Sequence, residues 1–94
     1  MTIIKTRTLT TLHLNTINDA RLSGRAVALR FDTSAGVEER EIYNIREGWW
    51  GCEWDERVTV NGGAALVSTD CSHDRPFLRY VSYMAATGAD IVIG

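Results

Sequence analysis

Four side chains in this 94-residue chain could act as soft metal ligands or as thiol and imidazole catalysts: His13, Cys52, Cys71 and His73. Four is also the ligand number of a structural zinc, but the spacing works against one. Cys71 and His73 have only Ser72 between them, and Cys52 and His13 come from distant segments. A zinc knuckle places about two to four residues between paired ligands. Cys71, His73 and Asp74 include the residue types of a thiol nucleophile, its base and an orienting acid. Neighbours in sequence rarely meet at a catalytic angle, because such triads are assembled across a fold. The more economical role for Ser72, His73 and Asp74 is to cap a helix beginning near Arg75. Glu38, Glu39, Glu41 and Glu47 offer acid-base pairs, with nothing nearby to raise a carboxyl pKa. No glycine-rich phosphate loop, metal pair or nucleophile elbow is present. The expectation is a non-enzyme without metal or cofactor, a small Cys/His metal protein or hydrolase being the third reading.

The tryptophans point elsewhere. Gly48-Trp49-Trp50-Gly51-Cys52-Glu53-Trp54-Asp55-Glu56 holds all three of the chain's indoles. Side chains on extended or turn backbone diverge, so the three rings cannot all face one small core. An exposed indole among acidic residues suits a protein-binding hot spot, with the charged rim setting orientation and on-rate. The competing reading is an aromatic plug closing the end of a sheet. The expected contact residues are Trp49, Trp50, Glu53, Trp54, Asp55 and Glu56, with Glu38, Glu39 and Glu41 beside them.

Charge is unevenly spread. Residues 1 to 37 carry five basic and two acidic side chains, whereas 38 to 57 carry seven acidic and three basic ones. An acidic segment could mimic nucleic-acid phosphates in a partner's basic groove. Net charge is only -2, however, and a solvated hairpin face explains the run more simply. The pI of about 5.6 and the lack of a recognition motif argue against direct nucleic-acid binding. Hydrophobic residues at 45% and charged ones at 23% place the chain among ordinary globular domains, and its length fits one domain, residues 1 to 94. No run approaches the roughly 20 apolar residues of a membrane span, the N-terminus lacks a signal-peptide stretch, and two cysteines make no disulfide framework. A cytoplasmic protein without membrane contact is expected.

These residues must be positioned by a few short elements. Thr2 to Asn15, rich in threonine and with Leu12 and Leu14 alternating against Thr11 and His13, reads as extended; Asn15 to Gly24 reads as one or two helical turns or a loop. Arg25 to Asp32 alternates as a half-buried strand, Thr33 to Gly36 supplies a turn, and Val37 to Ile45 returns. Asn61-Gly62-Gly63 between Arg57–Val60 and Ala64–Ser68 is the clearest hairpin signal, since Asn-Gly tolerates positive φ. Pro76 opens an amphipathic helix whose stripe is Phe77, Leu78, Val81, Met84 and Ala85, ended by Gly88. Ile91-Val92-Ile93 forms a last strand, able to pair with a second copy if it lies at a sheet edge. The expected fold is α+β: a mainly antiparallel sheet of five to six strands built from hairpins, with one C-terminal helix packed on it.

This profile of a short, mildly acidic α+β domain, with nine arginines to one lysine, no active-site motif and a Trp-acidic segment, resembles the small phage-encoded inhibitors of bacterial defence, anti-CRISPR proteins among them. The likeness is one of profile and transfers no residue. It implies a protein partner whose nucleic-acid or effector site is blocked by occupancy. A small self-assembling or virion-associated subunit, dimeric through a sheet edge, is the alternative.

Overall fold

The computed structural model describes Met1 to Gly94. Its elements run β1 (Thr2–Ile4), α1 (Thr11–Leu22), β2 (Val27–Thr33), β3 (Gly36–Gly48), β4 (Gly51–Val60), β5 (Leu66–His73), α2 (Phe77–Thr87) and β6 (Asp90–Ile93). All six strands join one antiparallel sheet in the order β1-β6-β2-β3-β4-β5. The fold is therefore α+β, with two helices where one was expected.

The register fixes which side chains share a face. Val27 lies opposite both Ile93 and Ile42, and Leu29 opposite Ile91, so these residues point one way together with Ile4, Cys52 and Trp54. They form one core with Ile17 and Ala20 of α1 and Phe77, Tyr80, Val81 and Ala85 of α2. Both helices thus cover the same face, called inner below. On the helix-free outer face Ala28 and Val92 face each other and are buried, while Arg30 pairs with Glu39.

The largest departure from the sequence reading is α1. Threonine-rich sequence suggested extended backbone to Asn15, but the helix begins at Thr11 because Thr10 caps it. The Thr10 hydroxyl accepts from the His13 N–H at 3.2 Å, and His13 Nδ1 accepts from the Thr10 N–H at 3.2 Å. This reciprocal arrangement satisfies two N-terminal donors at once, with His taking the place usually held by Glu or Gln. Packing of Ile17 and Ala20 against the sheet then outweighs the weak β preference of threonine, and Leu12 stays exposed.

Two further expectations are corrected. The final strand is not at an edge: β6 sits between β1 and β2, so the open edges are β1 and β5. Nor do Ser72 or Asp74 cap α2, which has no side-chain cap from the preceding residues. Glu47, at the end of β3, takes that place by accepting the Phe77 N–H at 3.4 Å, and its carboxylate also pairs with Arg21 of α1. One buttressed acid thereby ties the sheet to both helices.

The Asn61-Gly62 turn forms as expected, with φ of 53° and 70° and Gly63 N–H donating to the Val60 carbonyl. Asn61 does more than turn the chain. Its side chain accepts from the Val37 N–H and donates to the Ala35 carbonyl, clipping the neighbouring β2-β3 turn to this one.

Candidate functional site

The β3-β4 hairpin narrows to a two-residue tip, Trp49-Trp50, between the paired Gly48 and Gly51. Gly51 is required by the backbone around it, and Gly48 makes room for a side chain. Gly51 has φ of 131°, and any Cβ there would collide with the His73 carbonyl of β5; a Cβ on Gly48 would strike the Trp50 indole. Trp50 is folded back over Gly48 and is 39% exposed, whereas Trp49 projects from the tip and is 98% exposed.

Trp54 behaves differently. It lies in β4, on the inner face, and is only 4% exposed. Its ring stacks on Tyr80 of α2 at 4.5 Å between centroids, and its indole N–H donates to Glu56 at 3.3 Å. Trp54 is therefore a core residue and leaves the set of surface contacts expected from sequence. The stretch Cys52–Trp54 lies within β4.

Asp55 also leaves the surface. Its carboxylate accepts from the Asn44 amide at 2.9 Å and from the Asp70 backbone N–H at 3.1 Å, and it is 9% exposed. Asn44 and Asp70 have φ of 52° and 56°, and each marks a bulge: Asn44 and Ile45 together oppose Trp54, and Thr69 and Asp70 together oppose Asp55. Asp55 thus pins the bulges on both neighbouring strands. The Asn44 hydrogen bond, then that from Asp70, holds its carboxyl below the ordinary range, with Arg46 adding to the effect.

The remaining acids do not form one patch. Strand alternation sends Glu38 and Glu56 to the inner face and Glu39, Glu41 and Glu53 to the outer one. Most are also paired within the chain: Glu38 with Arg40, Glu39 with Arg30, and Glu53 with Arg46. A sequence run of like charge has been divided by the pleat and largely neutralised by arginines on the same or adjacent strands.

Three of the four thiols and imidazoles come to one face, and only His13 lies apart. Cys52 faces His73 across β4 and β5, and Cys71 faces Trp54, so these three share the inner face; His13 is committed to the α1 cap. No group of three His, Cys, Asp or Glu side chains gathers where it could hold a metal ion. Burial pushes the Cys71 thiol up to about 11, helped by the neighbouring Glu56, and burial raises Cys52 too. Both therefore stay protonated at neutral pH, the opposite of what a thiol nucleophile needs. His73 instead joins an aromatic line. Its ring lies 5.1 Å from Tyr80 and 5.9 Å from Tyr83, and the Arg75 guanidinium covers Tyr83 at 4.6 Å.

Sequence reasoning missed Glu47 and Asn44. Nothing local marks Glu47 as a helix cap, because its partners lie 26 and 30 residues away. Asn44, at positive φ in a strand otherwise read as regular, is the type of residue that tolerates that conformation and could have flagged the bulge.

The chain matches no protein-family model, no curated protein and no solved structure. No helix is long and apolar enough to cross a membrane.

Proposed function

We propose that the chain is a non-catalytic protein-binding module that inserts the Trp49-Trp50 tip into an apolar recess of a partner protein. The observation that carries this reading is the 98% exposure of Trp49 at the hairpin tip. Gly51 permits the positive φ that the turn uses, Trp50 packs back over Gly48, and Glu47 fastens the end of β3 to both helices. An indole presented in advance on a rigid hairpin loses little conformational entropy on docking and brings a large apolar area with it. Tryptophan at the centre of an interface commonly dominates its energetics. Since most nearby acids have internal partners, they orient a docked partner more than they attract one. A small inhibitor from a phage or mobile element, acting by occupying a site on a host defence complex, is the biological setting this reading fits.

Affinity capture from host extract with the wild-type chain and with Trp49→Ala and Trp50→Ala tests it. A discrete protein retained by the wild type and lost by both variants is expected, at unchanged melting temperature for Trp49→Ala, whose ring touches almost nothing. Equal retention by all three would move the contact away from the tip.

A further inference from the structure

The sheet has two open edges, and they are unequally protected. β1 offers only Thr2–Ile4 and is followed by Lys5, and a very short edge strand with a lysine beside it resists pairing with another chain. β5 spans eight residues, Leu66–His73, and is exposed from Leu66 through Asp70. Its first part, Leu66-Val67-Ser68-Thr69, contains no charge, proline or glycine. Leu66 faces inward opposite Val58 and Val67 outward opposite Arg57, yet they are 75% and 57% exposed. Both faces of the strand thus carry unburied apolar side chains beside an unpaired backbone edge.

We infer that Leu66–Thr69 is a self-association edge, and that its occupant is the same strand of a second copy of this chain. Antiparallel pairing about a two-fold axis at Val67 sets Val67 against its own counterpart and Leu66 against the partner's Ser68. Residues directly opposite each other then lie on the same face, as a regular ladder requires. The contact is isologous, so it closes on itself. It puts no charge opposite another over Leu66–Ser68. On the inner face, the row Leu29-Arg40-Val58-Leu66 runs into the row of the second copy that starts at Ser68 and continues through Glu56, Ile42 and Val27, and two six-stranded sheets become one of twelve.

The fold also limits how far this pairing extends. Asp70 is turned into the bulge, its N–H donated to Asp55 and its φ at 56°, which bends the strand away beyond Thr69. With the β1 edge short as well, growth stops at two copies instead of continuing as a filament. The register pairs about three residues per strand, Leu66–Ser68, a small contact that implies a weak, concentration-dependent dimer.

Sedimentation velocity over a wide concentration series tests this with the wild type, Val67→Lys and Trp49→Ser. The wild type should approach twice the monomer mass at high concentration. Val67→Lys should stay monomeric with an unchanged melt, and Trp49→Ser should dimerise like the wild type. If Val67→Lys disturbs folding, Leu66→Lys gives the same reading, since Leu66 is the more exposed. A wild-type monomer at every concentration overturns the inference, as does a dimer that survives both lysine variants. Loss of the dimer in Trp49→Ser alone would assign the contact to the hairpin tip. A chain monomeric alone that pairs one-to-one with a different protein through Val67 would replace the second copy with a strand-donating partner.

Discussion

Trp49 and Trp54 share one hairpin, yet one indole is 98% exposed and the other 4%. The difference comes from what lies over each. Trp54 points from a central strand into the layer roofed by α2, where Tyr80 meets its face and Glu56 its N–H. Trp49 sits where the strands have run out and no helix reaches. The hairpin therefore separates a ring that holds the domain together from a ring that does nothing visible for it. Two rings close in sequence can have independent uses because a strand fixes side-chain direction rigidly, while a two-residue turn releases it.

Replacing the buried ring tests this contrast most severely. Trp54→Ala should cost about 3–5 kcal/mol, the range for removing a large aromatic from a close-packed core. Small domains are held by roughly 5–15 kcal/mol, so the variant should melt far below the wild type or fail to fold. Trp54→Phe, which keeps a ring against Tyr80, should fall between the two in a urea titration. A Trp54→Ala protein as stable as the wild type would remove the distinction between the rings.

A second difference between the regions appears at high pH, where the buried side alone carries titrating groups. Burial pushes Tyr80 up to about 12 and Cys71 up to about 11, from ordinary values of 10.0 and 9.0, with Glu56 opposing ionisation of both. Each proton is held more tightly in the folded chain than in the unfolded one. The associated stability is therefore complete below the unfolded values and is lost as pH rises, from about 9 to 11 for Cys71 and from about 10 to 12 for Tyr80. The melting temperature should fall across this window. Cys71→Ser should flatten the fall between pH 9 and 11 without abolishing it, because burial raises Cys52 as well. An unchanged slope in Cys71→Ser would mean that this thiol is not buried against Glu56 as described.

What the sequence disclosed follows the range of the interactions involved. The Asn61-Gly62 turn and the inward pair Val27 and Leu29 are local signals that lie where their pattern put them, and α2 buries Phe77, Val81 and Ala85 of its expected stripe together with Tyr80. The start of α1 was harder to read because its cap uses His13, an unusual partner for Thr10, and because its buried face amounts to Ile17 and Ala20. The pleat could have warned that Glu38 and Glu39 point apart. Glu38 and Arg40 pair two apart along β3 and Glu39 meets Arg30 across the expected hairpin, so only Glu53 with Arg46, across β3 and β4, depended on strand neighbours that the sequence did not disclose. The same is true of Glu47 and Asp55, whose partners come from other elements. Of the three indoles, sequence gave the reason that they diverge but not which would be buried, because that depends on where α2 returns over the sheet.

The smallest expected change is the one that gives the exposed ring its meaning. Trp49→Ser removes a side chain that touches almost nothing, so stability should stay within about 0.5 kcal/mol of the wild type, as for surface positions generally. The emission spectrum should nevertheless change, losing its most water-exposed, red-shifted component and leaving a spectrum weighted toward the buried Trp54. A melt lowered as much as that of Trp54→Ala would show the tip packing against the domain. A matching melt with a blue-shifted spectrum leaves an indole that folding does not use, which is the condition that the proposed docking of the tip needs.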